Sequence, residues 1–117
     1  MGCCGSKCSL RKQLSQKWAN CEHDECRVDV VIEMLVHGLI TLPSAITKVD
    51  YEHRVIYSKD ITYYVVVCND LTEVKKIKSD RHHQYVLITR LSYLQILSAV
   101  DQSVIVFDYY EVETALL

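Results

Sequence analysis

The first eight residues carry a glycine, a hydroxyl and several thiols at spacings that suit covalent attachment of fatty acids. Removal of Met1 leaves Gly2 as the amino terminus, with Ser6 four residues further on and Lys7 beside it. This spacing predicts N-myristoylation of Gly2. Thiols placed for palmitoylation stand nearby, at Cys3, Cys4 and Cys8. The tail therefore predicts dual acylation.

A second membrane signal matters because one acyl chain is a weak anchor. A myristoyl chain gains roughly 0.8 kcal/mol per buried methylene group and gives only marginal, reversible attachment. Besides the thiols, the chain offers basic side chains before its first acid, Glu22: Lys7, Arg11, Lys12 and Lys17. Each such residue contributes about 1 kcal/mol near an anionic leaflet. We therefore expect an anionic cytosolic leaflet to be one partner of this protein.

The opening sequence MGCCGSK resembles the dual-acylation tails of Src-family tyrosine kinases, trypanosomatid calflagins and several plant signalling proteins. The likeness is confined to the first eight of the 117 residues. It implies that the protein is targeted to a membrane, and it implies no fold for the rest of the chain.

Residues 9–20 have the spacing of a short amphipathic helix. Leu10, Leu14 and Trp18 stand at positions i, i+4 and i+8, which share one face of a helix, and basic residues surround them. We predict a helix that lies in the membrane interface and extends the anchoring tail over residues 1–22. A helix packed on the domain and a disordered spacer are the alternatives.

Two thiols and an imidazole fall within six residues at Cys21, His23 and Cys26. Zinc binds these ligands tetrahedrally, but the spacing is not the C-x2-C of structural zinc sites and a second ligand pair is missing from the sequence. A zinc-binding module is therefore the alternative function. Otherwise we expect free thiols and no disulfide bridges in the body of the protein, because an acylated tail places that body in the reducing cytosol.

Composition predicts one globular domain over residues 23–117. The net charge is −2, and no Lys or Arg follows Arg90, whereas four acids do: Asp101, Asp108, Glu111 and Glu113. Without a basic excess, nucleic acid is not an expected partner. No apolar run reaches the roughly 18 to 20 residues of a membrane-spanning helix, and the amino terminus lacks the apolar region of a secretory signal. We expect the acidic end to face away from the membrane.

Hydrophobic periodicity after residue 22 predicts alternating helices and strands. Helices are predicted at 24–38, where Gly38 is the stop residue, at 71–78 and at 92–101. Strands are predicted at 48–57, 61–68, 84–91 and 104–110, with 61–68 as the central strand. Five β-branched residues make a strand the alternative for 24–38. A turn at 58–60 makes a hairpin of the first two strands, and the later helical crossovers predict parallel neighbours. The predicted fold is α/β, a small mixed sheet with one hairpin, and an antiparallel β sandwich is the alternative.

In such a sheet, ligands bind beyond the carboxyl ends of the strands. The carboxyl ends of the predicted strands offer Cys68, Asn69 and Asp70, then Ser92, then Asp108. All three glycines precede the hairpin, so no glycine-rich phosphate loop is present. A thiol nucleophile at Cys68 would need a histidine base, and no spacing selects one. We therefore expect no enzyme activity and no cofactor.

Tyrosines near the end of the chain suggest signalling motifs. Leu91-Ser-Tyr93-Leu-Gln-Ile96 resembles the inhibitory tyrosine motif of immune receptors, and Tyr93 to Ile96 also fits the Tyr-x-x-apolar sorting signal. Helical spacing predicts that Tyr93, Leu94 and Leu97 face inward, which argues against both motifs. Tyr109 and Tyr110 lie in an acidic context that tyrosine kinases favour, so one of them is a predicted phosphorylation site.

The sequence as a whole predicts a lipid-anchored, non-enzymatic adaptor, of cellular origin or a small viral accessory protein. It would act at the cytosolic face of the plasma membrane or an endomembrane. Its partner would be a protein of unknown identity or a second copy of the same chain, and the strip from Asp108 to Leu117 is the predicted contact surface.

Overall fold

The chain folds into a mixed β-sheet with helices on both sides. A computed structural model describes residues 6–117, with side chains from residue 9 onward. The helices within that range are α1 (Ser6–Ala19), α2 (Asp24–Val36), α3 (Leu71–Val74), α4 (Tyr93–Leu97) and α5 (Tyr109–Ala115). The strands are β1 (Lys48–Asp50), β2 (Val55–Tyr57), β3 (Thr62–Val67), β4 (His83–Thr89) and β5 (Ile105–Asp108). The predicted α/β class is confirmed, and the β sandwich is not favoured.

The strands stand in the sheet in chain order, from β1 to β5. β1, β2 and β3 pair antiparallel, whereas β3, β4 and β5 pair parallel. The long, apolar β3 is thus the middle strand, as predicted for residues 61–68. It belongs to the antiparallel part on one side and to the parallel part on the other.

Each face of the sheet covers its own hydrophobic core, because successive strand residues point to opposite faces. Val86 and Ile88 of β4 pack in the larger core, which includes residues of α1, α2 and α5. Leu87, between them, packs in the smaller core with Val74 of α3 and Ile96 of α4. The two crossover helices therefore share one face, and the other three helices cover the opposite face.

Helix α2 ends through a glycine, as its sequence predicts. Gly38 has a φ of 75°, in the left-handed region that a residue with a Cβ avoids. The N–H of Leu39 donates to the carbonyl of Met34 at 2.8 Å, and that of Gly38 to the carbonyl of Leu35 at 3.3 Å. This pair of bonds is the Schellman motif, which satisfies carbonyls at the helix end.

The single strand predicted at 48–57 is wrong, because the chain reverses within it. β1 and β2 form a hairpin of their own, with Asp50 opposite Val55 and four turn residues between them. Arg54 closes the turn at a φ of 57°. Its guanidinium Nε donates to Asp29 of α2 at 3.0 Å, which holds this strained turn against the helix.

Side-chain caps start the helices that follow the parallel strands. Asp70 accepts from the N–H of Thr72 at 2.8 Å, and Ser92 with Gln95 forms a complete capping box. Both helix starts were predicted. Asp108 caps α5 in the same way, accepting from the N–H of Glu111 at 2.7 Å. The strand predicted at 104–110 is wrong at its end, since β5 stops at Asp108 and α5 begins at Tyr109.

Helix α1 belongs to the domain. Leu14 is 6% exposed and Trp18 is 5% exposed, and both lie in the larger core with the sheet residues. Leu10 is partly buried against the same core. The predicted interfacial orientation of Leu14 and Trp18 is therefore wrong, and the helix packed on the domain, the alternative, is found. The boundary at residue 22 does not separate a tail from the core.

Candidate functional site at the carboxyl edge of the parallel strands

Asn69 organises the carboxyl edge of the parallel strands. It follows β3, and its side-chain oxygen accepts the backbone N–H of Arg90, after β4, at 2.7 Å. The same oxygen accepts the hydroxyl of the buried Thr89 at 3.5 Å. Its amide nitrogen donates to the hydroxyl of Tyr109, after β5, at 3.5 Å. One side chain thus links the ends of three strands.

The other residues predicted at this edge have structural partners. Asp70, Ser92 and Asp108 are the N-caps of α3, α4 and α5. The Cys68 thiol donates to the carbonyl of Asp70 at 3.5 Å. Of the predicted set, Asn69 is the one whose side chain joins the neighbouring strand ends.

Aromatic and cationic side chains gather beside Asn69. The Trp18 and Tyr109 rings meet edge to face, with centroids 5.1 Å apart. The Arg27 guanidinium of α2 lies 4.6 Å from the Trp18 ring centre and 5.0 Å from that of Tyr109. The Arg90 guanidinium lies 5.4 Å from the Tyr109 ring centre. We call these four residues the arginine–aromatic cluster. Cation–π attraction favours this arrangement.

The cluster lines an open hollow of about 430 Å³. The rest of its lining consists of Ser15 and Ala19 of α1, Glu113 of α5, and Leu116 and Leu117 after that helix. Glu113 is the acid in this lining, and its carboxylate accepts the indole N–H of Trp18 at 3.0 Å. Among the residues whose side chains are described, no ion pair engages Arg27 or Arg90. Two guanidinium groups therefore face one concave surface with their N–H donors available, an arrangement suited to binding an anion.

The predicted acylation sites Gly2, Cys3 and Cys4 lie outside the described residues, as do the side chains of Cys8 and Lys7. The remaining membrane-binding candidates divide by exposure. Arg11, Lys12 and Lys17 are exposed on α1, whereas Leu14 and Trp18 are buried. The outer face of this helix is therefore basic without being apolar.

Cys21 and Cys26 form a disulfide, with Cα atoms 5.5 Å apart. The expectation of free thiols is wrong for this pair, while Cys68 is free. Bridged sulfurs are not thiolates, so in this state they leave His23 without the two thiolate ligands that a zinc site here would need. No group of three or more potential ligands for a metal ion occurs among the residues described.

The tyrosines predicted to signal differ in exposure. Tyr110 is 77% exposed on α5, so it is the residue of the pair that faces outward, whereas Tyr109 is held in the arginine–aromatic cluster. Tyr93 is 66% exposed, so the predicted burial of this residue is wrong. Ile96 is only 2% exposed, and a partner could not take both ends of the Tyr-x-x-apolar motif while α4 stays folded.

Carboxylates at two turns have lowered pKa values. The pKa of Asp50 is lowered mainly by a hydrogen bond between its carboxylate and the side chain of His53, at 2.8 Å. Asp80 accepts the backbone N–H groups of His82 at 2.9 Å and His83 at 2.8 Å, and these bonds lower its pKa. His82 and His83 are both exposed.

Sequence reasoning missed Arg27, Arg90 and Tyr109 as one group. Arg90 could have been noticed, because it lies near the carboxyl end of a predicted strand and is the last Lys or Arg of the chain. Nothing in the local pattern of α2 distinguishes Arg27, since its partners Trp18 and Tyr109 come from other elements.

No helix in the described part of the chain is both long and apolar enough to cross a bilayer. Comparisons of the sequence with protein-family models, and of the chain with curated proteins and solved structures, gave no match.

Proposed function

We propose that this protein is a lipid-anchored, non-enzymatic adaptor that acts at the cytosolic face of a membrane through protein contacts. The single observation that carries the proposal is the opening pattern of Gly2, Cys3, Cys4 and Ser6. Myristate on Gly2 supplies the first membrane signal, and palmitate on the neighbouring thiols supplies the second that stable anchoring requires.

The exposed side of α1 supports this proposal. Arg11, Lys12 and Lys17 are exposed, and no acid occurs in this helix. Since α1 begins within the acylation pattern, its basic side chains would remain near the lipid and attract an anionic leaflet. The helix contributes charge to membrane binding, while its apolar residues stabilise the domain.

The partner surface is proposed on the opposite face of the sheet, on α4. Tyr93, Leu94 and Leu97 are 66%, 81% and 56% exposed, and we call them the α4 patch. Tyr93 and Leu97 also line a hollow of about 320 Å³. Within the described chain, the lining of that hollow has three acids and no Lys or Arg: Asp101, Asp108 and Glu111. Its charge complements an apolar, basic segment of a partner protein.

The anchor is tested by fractionating cells that express the full chain. Gly2→Ala should move the protein from membranes to the soluble fraction, and incorporation of an alkyne-labelled myristate should be lost. Gly5→Ala is the matched control, because it changes a glycine of the same tail outside the myristoylated position. A Cys3/Cys4/Cys8→Ser variant should bind membranes reversibly, with Cys68→Ser as its control. If Gly2→Ala and the triple variant fractionate like the wild type, acylation does not target this protein to membranes.

The adaptor role is tested with Leu94→Ser/Leu97→Ser. Both side chains are largely exposed, so this variant should fold and reach the membrane as the wild type does. Proximity labelling at the membrane should lose a partner that the wild type labels, and rising salt should weaken that contact because the rim is acidic. Tyr51→Ser is the matched control, since Tyr51 is 52% exposed in the β1–β2 turn. Identical labelling by all three proteins would contradict the α4 patch as the contact.

A further inference from the structure

The two arginines of the arginine–aromatic cluster reach the same hollow from different elements. Arg27 projects from α2, and Arg90 follows β4, where its backbone N–H is held by Asn69 at 2.7 Å. The Arg27 guanidinium lies 5.0 Å from the centre of the Tyr109 ring, and the Arg90 guanidinium lies 5.4 Å from the centre of the same ring. The fold therefore brings two positive charges close together at a fixed place.

Stacking on aromatic rings leaves the donors of a guanidinium available. A planar guanidinium that packs over a ring keeps its N–H groups in its own plane, where they can bind a phosphate or carboxylate in bidentate fashion. Trp18 is 5% exposed and is fixed by Glu113 at 3.0 Å. The ring against which Arg27 packs therefore cannot move away without disturbing the core.

The charged side chains that line this hollow are two arginines and one acid. Glu113 is the acid of its lining, and its carboxylate accepts from the indole of Trp18. No ion pair in the described part of the chain engages either arginine. Arg54, by contrast, is paired with Asp29 at 3.0 Å. Two like charges that share a concave surface repel each other, and a bound anion with two charges removes this repulsion.

We infer that Arg27 and Arg90 form a binding site for a phosphomonoester group, with Trp18 and Tyr109 as its aromatic wall. A phosphomonoester carries nearly two negative charges and three acceptor oxygens, which match two guanidinium groups. The hollow, at about 430 Å³, lies in the size range of small-ligand sites. It also lies beyond the carboxyl ends of parallel strands, where open α/β sheets bind their ligands.

The phosphomonoester can come from a phosphoinositide headgroup or from a soluble phosphorylated compound. Ser15 and Ala19 of α1 line the hollow, and α1 is the helix that continues from the acylation pattern. This inference goes beyond the proposed function and does not depend on acylation. The protein without acyl chains can therefore test it separately from the anchor.

The indole of Trp18 provides a direct readout, because Trp18 is the one tryptophan of the sequence and lies 4.6 Å from the Arg27 guanidinium. Full-length protein made without acyl chains is titrated with inositol 1,4,5-trisphosphate and, separately, with inorganic phosphate. We expect a saturable change of Trp18 fluorescence with the inositol phosphate. Arg27→Gln and Arg90→Gln should each weaken binding at least about tenfold, which corresponds to about 1.4 kcal/mol.

Arg81→Gln is the matched control, because this exposed arginine precedes β4 at the opposite end of the strand from Arg90. It should leave binding unchanged. Arg90→Lys keeps the charge but lacks the bidentate fork, so it should bind more weakly than the wild type. Thermal unfolding of each variant checks the fold, and Arg90→Lys keeps the test decisive if Arg27→Gln does not fold.

Sedimentation with phosphatidylcholine vesicles, with or without phosphatidylinositol 4,5-bisphosphate, distinguishes the sources of phosphate. Arginine-dependent binding to the phosphoinositide vesicles supports the site with a headgroup as its ligand. Arginine-dependent binding to the soluble probes alone supports the site with a soluble ligand. Absence of saturable binding in every arm, or equal weakening by Arg81→Gln, overturns the inference. Neither result bears on the anchor, because the Gly2→Ala variant tests membrane attachment in cells separately.

Discussion

The indole N–H of Trp18 donates to the carboxylate of Glu113 at 3.0 Å and joins α1 to α5, although 95 residues separate them in the chain. Through this bond the basic helix near the amino terminus lies beside the acidic end of the chain. Opposite charges at the two ends of the sequence do not place those ends on opposite sides of the fold.

Removal of the Trp18 ring should destabilise the domain, because the ring is almost fully buried in the larger core. We expect Trp18→Ala to lower the free energy of unfolding by about 3 to 5 kcal/mol in a urea titration. Trp18→Phe should lose less, since it keeps an aromatic ring and lacks only the donor to Glu113. Lys17→Ala, at the exposed neighbouring position, is the control. Wild-type stability in Trp18→Ala would mean that α1 does not pack on the domain.

The hydroxyl of Tyr63 is buried without a hydrogen-bond partner among the described residues, and the side chain is 0% exposed. An unsatisfied buried polar group costs about 1 to 3 kcal/mol. Tyr63→Phe should therefore raise the free energy of unfolding by about 1 kcal/mol or more. Tyr64→Phe, at the next and partly exposed position, should change it by less than about 0.5 kcal/mol. A loss of stability in Tyr63→Phe would show that a buried water or another group satisfies the hydroxyl.

The Cys21–Cys26 disulfide should stabilise the turn between α1 and α2, chiefly by restricting the unfolded chain. A loop of this length gives about 2 kcal/mol in the chain-entropy treatment. We expect a reductant to lower the melting temperature by about 5 to 10 °C without unfolding the domain at 25 °C. The Cys21→Ser/Cys26→Ser protein should melt at the lower temperature with or without reductant. A reductant effect of the same size in that variant would assign the change to another cysteine.

The Asp80 turn predicts a defined pH dependence of stability. Backbone N–H groups of His82 and His83 lower the Asp80 pKa below its ordinary value of 3.8. A carboxyl group whose pKa is lower in the folded state stabilises the fold above its unfolded pKa, and this stabilisation disappears as the pH falls through the folded value. Between about pH 5 and pH 2, wild-type protein should lose more stability than Asp80→Asn, whose amide oxygen accepts without titrating. Parallel pH curves for the two proteins would contradict the lowered pKa.

Several local features follow from the sequence without tertiary information. Gly38 ends α2 because only a residue without a Cβ takes its conformation easily. Asp70 and Ser92 start their helices because short polar side chains satisfy free N–H groups within three residues. Asn69 was expected at the ligand-binding edge because it follows an apolar strand. Each of these signals is complete within a few neighbouring residues.

Which surface an apolar stripe covers is decided only in the tertiary structure. The spacing of Leu14 and Trp18 is the same whether the helix lies on a membrane or on the sheet, and here both side chains complete the larger core. Leu94 shows the reverse case. The five-residue helix α4 packs on the sheet through Ile96, and Leu94 of the same helix remains exposed. The sequence also does not pair Arg27 with Arg90, because they belong to different elements and are brought together only where both guanidinium groups approach the Tyr109 ring. Periodicity determines which residues share a face, whereas long-range packing determines what that face contacts.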